Sequence, residues 1–258
     1  MPDSAALIES RRHAVRSVAW TQPLRWLALG WRDLARCPLP GLVHGLVLAL
    51  FGGVLFALAR DRFWFLAGAF SGFLIVAPVL ATGLYAVSRA LEAGRRTGLA
   101  DALKSWLPRD HRLIVFGVLL SLAGTGWVLT SASLITAQAE VPIRSPADFV
   151  RHVVLGPSLL FELWLVLGAA LAAPVFASSV VALPLLLDRE DGVLAAVLTS
   201  WRVVLVNPAT MALWAALLIA LTLLGMGTLL LGLVVVVPWL AHASWHAYRD
   251  LVVDVPPN

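Results

Sequence analysis

Three histidines are the residues of this sequence whose type and spacing best suit chemistry. His242 and His246 are four residues apart, so one face of a helix presents both. His44 lies early in the first apolar segment and His242 near the end of the last, so both are expected close to the same membrane surface. Such imidazoles can bind a metal ion or haem. The alternative, which we favour because no third strong ligand accompanies the pair, is that His246 is interfacial and that His44 and His242 form hydrogen bonds between helices.

Recognisable catalytic motifs are missing from the sequence. It contains no P-loop, no dinucleotide fingerprint, no HExxH and no GxSxG. Its single cysteine, Cys37, excludes an intramolecular disulfide and a CxxC site. Glu162 lies about one turn inside an apolar segment, where its carboxylate can reach headgroup water. We therefore predict a non-enzymatic protein with no catalytic residues and no bound cofactor.

The composition is that of a protein embedded in lipid. Of 258 residues, 60% are hydrophobic and only 13% are charged, against about 25% charged in soluble domains. Six apolar segments approach the ~20 residues that cross a bilayer. They are Leu39–Ala59, Phe63–Val87, Leu113–Thr136, Leu159–Leu187, Ala209–Leu224 and Thr228–Ala247, with a tight turn over 225–227. The predicted fold is an all-α polytopic membrane bundle of six transmembrane helices.

Basic residues predict how these segments are oriented. If the segments alternate in direction, 15 of the 19 arginines and lysines fall on one side and 4 on the other. The positive-inside rule then predicts that both termini are cytoplasmic in a bacterial inner membrane. The arginines flank apolar runs, which indicates membrane lipids as partners and no nucleic acid. A second copy of the chain or another membrane protein is the further expected partner.

Three regions follow from this reading. Residues 1–38 form a cytoplasmic basic tail, 39–247 the six-helix membrane domain, and 248–258 a cytoplasmic C-terminal tail. Residues 1–22 are expected to be mobile. Pro23–Cys37 has helical spacing and is predicted to lie at the membrane surface. Its expected apolar face consists of Leu24, Leu27, Trp31 and Leu34.

An internal repeat links the middle of the chain to its second half. Ala77–Val87 (APVLATGLYAV) matches Ala173–Leu183 (APVFASSVVAL) at an offset of 96 residues, and Leu99–Trp106 matches Leu194–Trp201 at an offset of 95. Each unit carries a kinking proline, Pro78 or Pro174, and leads to a short cytoplasmic interfacial helix. The predicted apolar stripes are Leu99, Ala102, Leu103 and Trp106, and Leu194, Val197, Leu198 and Trp201, with Asp191 as the second N-cap. The parallel repeat comprises spans 2–3 and 4–5.

Two further patterns concern packing. The C-terminal constellation of Trp239, His242, Trp245, His246, Tyr248 and Arg249 is typical of a membrane boundary. We expect this segment to anchor the last span against the start of the first, near His44, with Arg249 on the last helix carbonyls. The GxxxG pairs Gly41–Gly45 and Gly68–Gly72 allow close helix approach. The outer connection Ala137–Ser158 is expected to hold a short helix around Asp148–Val153.

Three stretches carry a resemblance to a known family: Gly30–Leu34 (GWRDL), Pro78–Trp106 and Trp239–Leu251 (WLAHASWHAYRDL). They resemble a bacterial family of predicted integral membrane proteins of unknown function, some of whose members are labelled cytochrome c oxidase subunit I-like. The resemblance implies six spans in the inner membrane and transfers no catalytic residues. A catalytic oxidase subunit needs twelve spans and six histidine ligands, and three of the six histidines here, His13, His111 and His152, lie outside the spans.

Three functions remain open at this point. The first is a non-enzymatic scaffold or an accessory or assembly factor of the membrane. The second is a small-solute transporter or channel that uses the kinked repeat helices. The third is a haem or copper handling protein linked to a respiratory oxidase.

Overall fold

In the computed structural model the chain is helical almost throughout the residues that it describes, which are 2–59, 81–105 and 110–254. The helices are α1 (Pro2–Ser10), α2 (Gln22–Arg36), α3 (Pro38–Ala59), α4 (described over 81–92), α5 (Leu99–Lys104), α6 (His111–Gln138), α7 (Pro146–Phe149), α8 (Leu160–Ser179), α9 (Ala182–Asp188), α10 (Val193–Val206), α11 (Pro208–Gly227) and α12 (Leu233–Leu251). A π-helical turn, Val150–Val154, follows α7. Two short strands, β1 (His13–Val15) and β2 (Val252–Asp254), pair antiparallel.

Four stretches within the described residues are long and apolar enough to cross a membrane: Pro38–Ala57, His111–Gln138, Leu160–Asp188 and Pro208–Gly227. They coincide with the first, third, fourth and fifth predicted segments. Their large apolar side chains are extensively exposed, among them Phe51, Val54, Val118, Leu122, Val166, Ile219 and Leu223. Surfaces of this kind are stable only against lipid or another protein, which confirms an all-helical membrane protein.

The remaining two predicted segments have different outcomes. Most of Phe63–Val87 lies outside the described residues, as do Pro78, Gly68–Gly72 and Trp106. The sixth segment corresponds to α12, which starts at Leu233 and continues to Leu251. It is not among the helices that qualify as candidate spans in the described part of the chain.

The fourth apolar segment is interrupted. Pro174 lies inside α8, and the helix ends at Ser179, five residues later, before α9 starts at Ala182. The Val181 backbone N–H at this break donates to Ser200 Oγ at 3.3 Å. A proline removes one helix hydrogen bond, and a neighbouring hydroxyl can satisfy a backbone group freed nearby.

The N-terminal segment is folded, so the expectation of a mobile tail is wrong for its described residues. β1 pairs with β2, with Ala14 opposite Val253, and the Arg16 N–H donates to Leu251 O at 2.9 Å. Asn207, between α10 and α11, accepts from the Val18 N–H at 2.9 Å and donates to Arg16 O at 3.0 Å. The described residues near the two chain ends are thus held together in one structure.

α2 forms where it was predicted but buries a different face. Leu27 and Leu34 are buried as expected, whereas Leu24 and Trp31 are exposed. Trp26 is fully buried in their place, 5.7 Å from Trp214 between ring centroids. α2 packs on α12 and does not only cover a membrane surface. The contact with α12 shifts the buried face of α2 away from the one predicted.

α2 crosses α12 at very short range. A Cβ added to Gly30 would lie 2.5 Å from the backbone nitrogen of Ala243. Only glycine allows two helix backbones to approach this closely.

α10 also departs from its prediction. Its N-cap is Gly192, because the Asp191 side chain binds His13 instead of the helix end. The buried face consists of Ala195, Ala196, Thr199, Ser200 and Val203, while Leu194 is exposed. Among the described residues of the stripe predicted for α5, Ala102 is buried, Leu99 is half-buried and Leu103 is exposed.

The chain forms two compact units. The first contains Met1–Ala49, Pro78–Phe116 and Phe176–Asn258, and the second contains Leu50–Ala77 and Gly117–Val175. The second unit has a core of Ile135, Ile143, Val153 and Leu160, and the Trp164 indole N–H donates to Ser131 Oγ at 2.7 Å. α7 and the π-helical turn confirm the short helix expected in the outer connection.

Candidate functional site

A buried polar cluster in the first unit joins α2, α4 and α12. Asp33 Oδ2 accepts from Ser88 Oγ at 2.9 Å and from His246 Nε2 at 2.8 Å. Ser88 Oγ also lies 2.8 Å from His242 Nδ1. Asp33, Ser88 and His242 are all buried, and His242 has no exposed surface. The cluster therefore has the residue types of a catalytic triad but no access for a substrate.

The order of the bonds in this cluster also differs from that of a catalytic triad. In a triad the histidine lies between the serine and the acid, whereas here the serine lies between Asp33 and His242. An ionised carboxylate only accepts, so the single Ser88 hydroxyl proton goes to Asp33 and His242 Nδ1–H donates to Ser88 Oγ. No base is left to activate the serine.

The electrostatics of Asp33 favour its ionised form. Burial by itself would raise the pKa of Asp33, but the hydrogen bond and positive charge of His246, together with the Ser88 hydroxyl, hold that pKa below its usual range. A buried carboxylate with two donors is a stabilising centre for the three helices that supply the groups.

His44 lies beside this region on α3, between two very close helix contacts. A Cβ on Gly41 would lie 3.0 Å from Pro238 Cβ, and a Cβ on Gly45 would lie 2.2 Å from Val234 O. The imidazole is buried, and its Nδ1 lies 2.6 Å from Pro40 O. The structure thus confirms that α12 packs against the start of α3, and that Gly41 and Gly45 are the residues that permit it.

A second group of charges lines a cleft of ≈ 380 Å³ in the same unit. Its walls are Arg89, Glu92, Ala93, Asp188, Trp245 and Arg249. Glu92 accepts from the Trp245 indole at 3.0 Å and from Arg249 Nε at 3.2 Å. Arg249 NH1 also lies 3.6 Å from Asp188 Oδ2. Arg249 therefore pairs with two acids, and not with the last helix carbonyls as the sequence led us to expect.

A third polar group fastens the N-terminal segment to the loop before α10. His13 Nε2 lies 2.9 Å from Asp191 Oδ2, and Glu9 Oε1 accepts from the Gly192 N–H at 3.1 Å. Arg112 donates to Asp191 O at 2.7 Å and to Arg189 O at 3.1 Å. Arg112 also pairs with Asp110 and holds the pKa of that carboxyl below its usual range. Arg112 is thus a structural residue, while Arg95 and Arg96, earlier in the same connection, are exposed.

The metal candidates do not converge as ligands. His246 Nε2 is used by Asp33, His242 Nδ1 by Ser88 and His44 Nδ1 by Pro40 O. Within the described ranges no three His, Cys, Asp or Glu side chains gather as a metal site requires. Glu162 is exposed in the first turn of α8, in the second unit, and so is not part of this cluster.

Sequence reasoning missed the roles of Asp33, Ser88, Glu92 and Asp188, which organise the polar groups of the first unit. For Asp33 one signal was available. It directly precedes Leu34, a residue of the predicted apolar face of α2, so an acid lies at the edge of the side that an amphipathic helix buries. An acid at such a position indicates a specific partner.

Comparison with known proteins agrees with this architecture. The chain is similar to a family model described as "Predicted integral membrane protein (DUF2189)", which matches residues 65–188. No curated protein and no solved structure matches the chain. With the four apolar helices described above, this makes the protein an integral membrane protein with several membrane-spanning helices.

Proposed function

We propose that the protein is a non-enzymatic scaffold or accessory factor of the bacterial inner membrane. The observation that carries this proposal is the state of its Ser, His and Asp side chains. Asp33, Ser88 and His242 are buried, and Ser88 is hydrogen-bonded to both of the others. Their polar groups therefore stabilise helix packing. What the protein offers its surroundings is apolar helix surface and exposed arginines.

The proposed orientation has both termini in the cytoplasm. β1 and β2 are paired, which supports placing the two chain ends on one membrane face and an even number of crossings between them. The 15 to 4 division of basic residues supports the cytoplasm as that face. Reporter fusions after Gln138 should be active in the periplasm and fusions after Asn258 in the cytoplasm. A periplasmic reading at Asn258 would reverse the orientation.

We include the parallel repeat in this proposal. Thr82 Oγ1 lies 3.4 Å from Ser105 O, and the Trp201 indole donates to Ser178 Oγ at 2.9 Å. Each contact joins residues 23 apart, and Thr82 and Ser178 are equivalent at the offset of 96. A contact at both places between the end of the proline-containing segment and the short helix that follows it supports two related units, each made of a span end and its short helix.

Affinity purification of the full chain from cross-linked native membranes tests the scaffold role. The expected result is a stoichiometric membrane-protein partner or a second copy. Ser88→Ala should lower the melting temperature yet keep the partner, because the cluster supports the fold rather than a reaction. If Ser88→Ala abolished a catalytic activity of the purified protein and left its melting temperature unchanged, the proposal would be contradicted. Stoichiometric haem or copper in the purified protein, lost in His242→Gln, would favour the third candidate instead.

A small-solute transporter or channel is the second candidate. It is favoured by the interruption between α8 and α9, since broken helices near a repeat interface commonly form transport sites. Potassium chloride efflux from proteoliposomes measures this directly. Efflux above that of protein-free vesicles, abolished by a substitution at the break such as Val181→Trp, would replace the scaffold by a channel.

A further inference from the structure

The hairpin of α11 and α12 ends in an uncharged, leucine-rich tip. Between the helices lie residues 228–232, and there the side chains of Leu229 and Leu231 are 87% and 71% exposed. No Asp, Glu, Lys or Arg occurs between Asn207 and Arg249. The outer connection between α6 and α8 differs, because it carries Glu140, Arg144, Asp148 and Arg151. A turn that meets water or headgroups is expected to carry such polar groups.

The turn also pairs several of its polar groups internally. The Leu230 N–H donates to Met226 O at 3.2 Å and the Leu231 N–H to Thr228 O at 3.2 Å. The Thr228 hydroxyl donates to Gly225 O at 2.8 Å and accepts from the Gly232 N–H at 2.7 Å. In hydrocarbon each unsatisfied backbone group costs several kcal/mol, so non-helical backbone is unfavourable there unless it is paired in this way.

The register between α12 and α3 measures the depth of the turn. Pro238 is in contact with Gly41, and Val234 with Gly45. α12 begins at Leu233, so the turn lies near the level of Gly45, seven residues after α3 begins at Pro38. Seven helical residues rise about 10 Å. A crossing needs ~20 residues and ~30 Å of hydrocarbon.

α11 leads to the same depth. Its length and composition would allow a crossing, but Thr210, Met211 and Trp214 are buried, and Trp214 packs on Trp26 of α2. From Trp214 to Gly227 the helix rises only about 20 Å. The part of the hairpin beyond the α2 contact is thus too short to cross.

We propose that α11 and α12 form a re-entrant hairpin that turns within the hydrocarbon. It enters from the face that bears the termini, its leucine tip contacts acyl chains, and it returns to the same face. This deepens the proposed membrane function and replaces its last two predicted crossings, while the number of crossings stays even. The partner of the tip is lipid hydrocarbon, because the surface of the tip carries no charge and the hydroxyl of Thr228 is already hydrogen-bonded.

Cysteine accessibility tests this proposal on the full chain. In a Cys37→Ser background, single cysteines replace Leu231 at the tip, Leu155 in the outer connection and Val166 in the middle of α8, all of them exposed. A membrane-impermeant maleimide is applied to intact cells and to inside-out vesicles. Leu231→Cys should match Val166→Cys, unlabelled from either side until detergent is added. Labelling of Leu231→Cys from the side that labels Leu155→Cys would overturn the proposal.

A charge at the same positions gives a second, independent measurement. Leu231→Asp should sharply lower the amount of inserted protein, while Leu155→Asp, at an equally exposed leucine, should not. Equal tolerance of both would show that the tip meets water. The side from which Leu155→Cys is labelled reports the orientation separately, so an error in the proposed topology is distinguishable from an error about the hairpin.

Discussion

At the scale of single residues, one carboxylate does most to define the interior of the first unit. Asp33 is buried, yet its Oδ2 holds both Ser88 and His246, and through Ser88 it fixes the proton of His242 on Nδ1. Each of these groups would be costly to bury alone. The Asp33 carboxylate and the Ser88 hydroxyl are satisfied within the cluster, while His242 Nε2 is buried without a hydrogen-bond partner among the described residues. The mutual pairing of Asp33, Ser88 and His246 explains why residues with catalytic potential are compatible with a structural role.

Asp33→Asn should reduce stability at neutral pH by about 1–3 kcal/mol, since a charged acceptor is lost inside the network. The folded-state pKa of Asp33 lies below its ordinary value. Its contribution is therefore fully present above the ordinary pKa and is lost as the pH falls through the lowered one. Thermal unfolding in detergent should show a gap between wild type and variant that closes in acid. Asp101→Asn, on exposed α5, is the matched control; a gap that persists in acid would contradict the assignment.

At the scale of elements, glycines decide which helices touch. Gly41 and Gly45 let α3 meet α12, and Gly30 lets α2 meet the same helix. These contacts bring His44 and the Asp33 cluster onto α12. At Gly30 and Gly45 a side chain as small as alanine would require the backbones to separate, because the added Cβ meets backbone atoms and not flexible side chains.

Gly45→Ala should destabilise the folded protein by about 1–3 kcal/mol through overpacking against Val234. Gly53→Ala in the same helix is the control, because a Cβ there meets nothing within 4 Å. Alanine favours a helix over glycine by up to about 1 kcal/mol, so the control should be neutral or slightly more stable. Melting temperatures of the two variants in one detergent provide the comparison. Equal melting temperatures would mean that α3 and α12 do not pack at Gly45.

The elements also show how far the sequence could predict this protein. Apolar runs predicted α3, α6 and α11 nearly to their ends, because lipid exposure leaves a simple pattern of composition. The buried faces of α2 and α10 could not be predicted, because α12 and the N-terminal segment pack there from distant parts of the chain. For the same reason His242 and His246 were recognised as a pair, while Asp33 and Ser88, which bind them, were not.

At the scale of the whole molecule, the N-terminal segment is joined to the C-terminal part of the chain. β1 lies beside β2, His13 binds Asp191, and Asn207 binds the backbone at Arg16 and Val18. Residues far apart in the sequence therefore share one compact unit, in which α10 packs against α1 and β1. This arrangement supports the proposal that both chain ends lie on one membrane face, with an even number of crossings between them.

A disulfide across the two strands tests that connection. Ala14 lies directly opposite Val253, and opposed residues of an antiparallel pair have Cβ atoms about 4.5–5.5 Å apart, close to the separation in a disulfide. In the Cys37→Ser background, Ala14→Cys with Val253→Cys should cross-link within one chain on mild oxidation and migrate faster on a non-reducing gel. Ala14→Cys with Ala100→Cys, at an exposed position of α5, should remain reduced. If neither pair cross-links, the termini are not joined, and the even number of crossings loses its structural support.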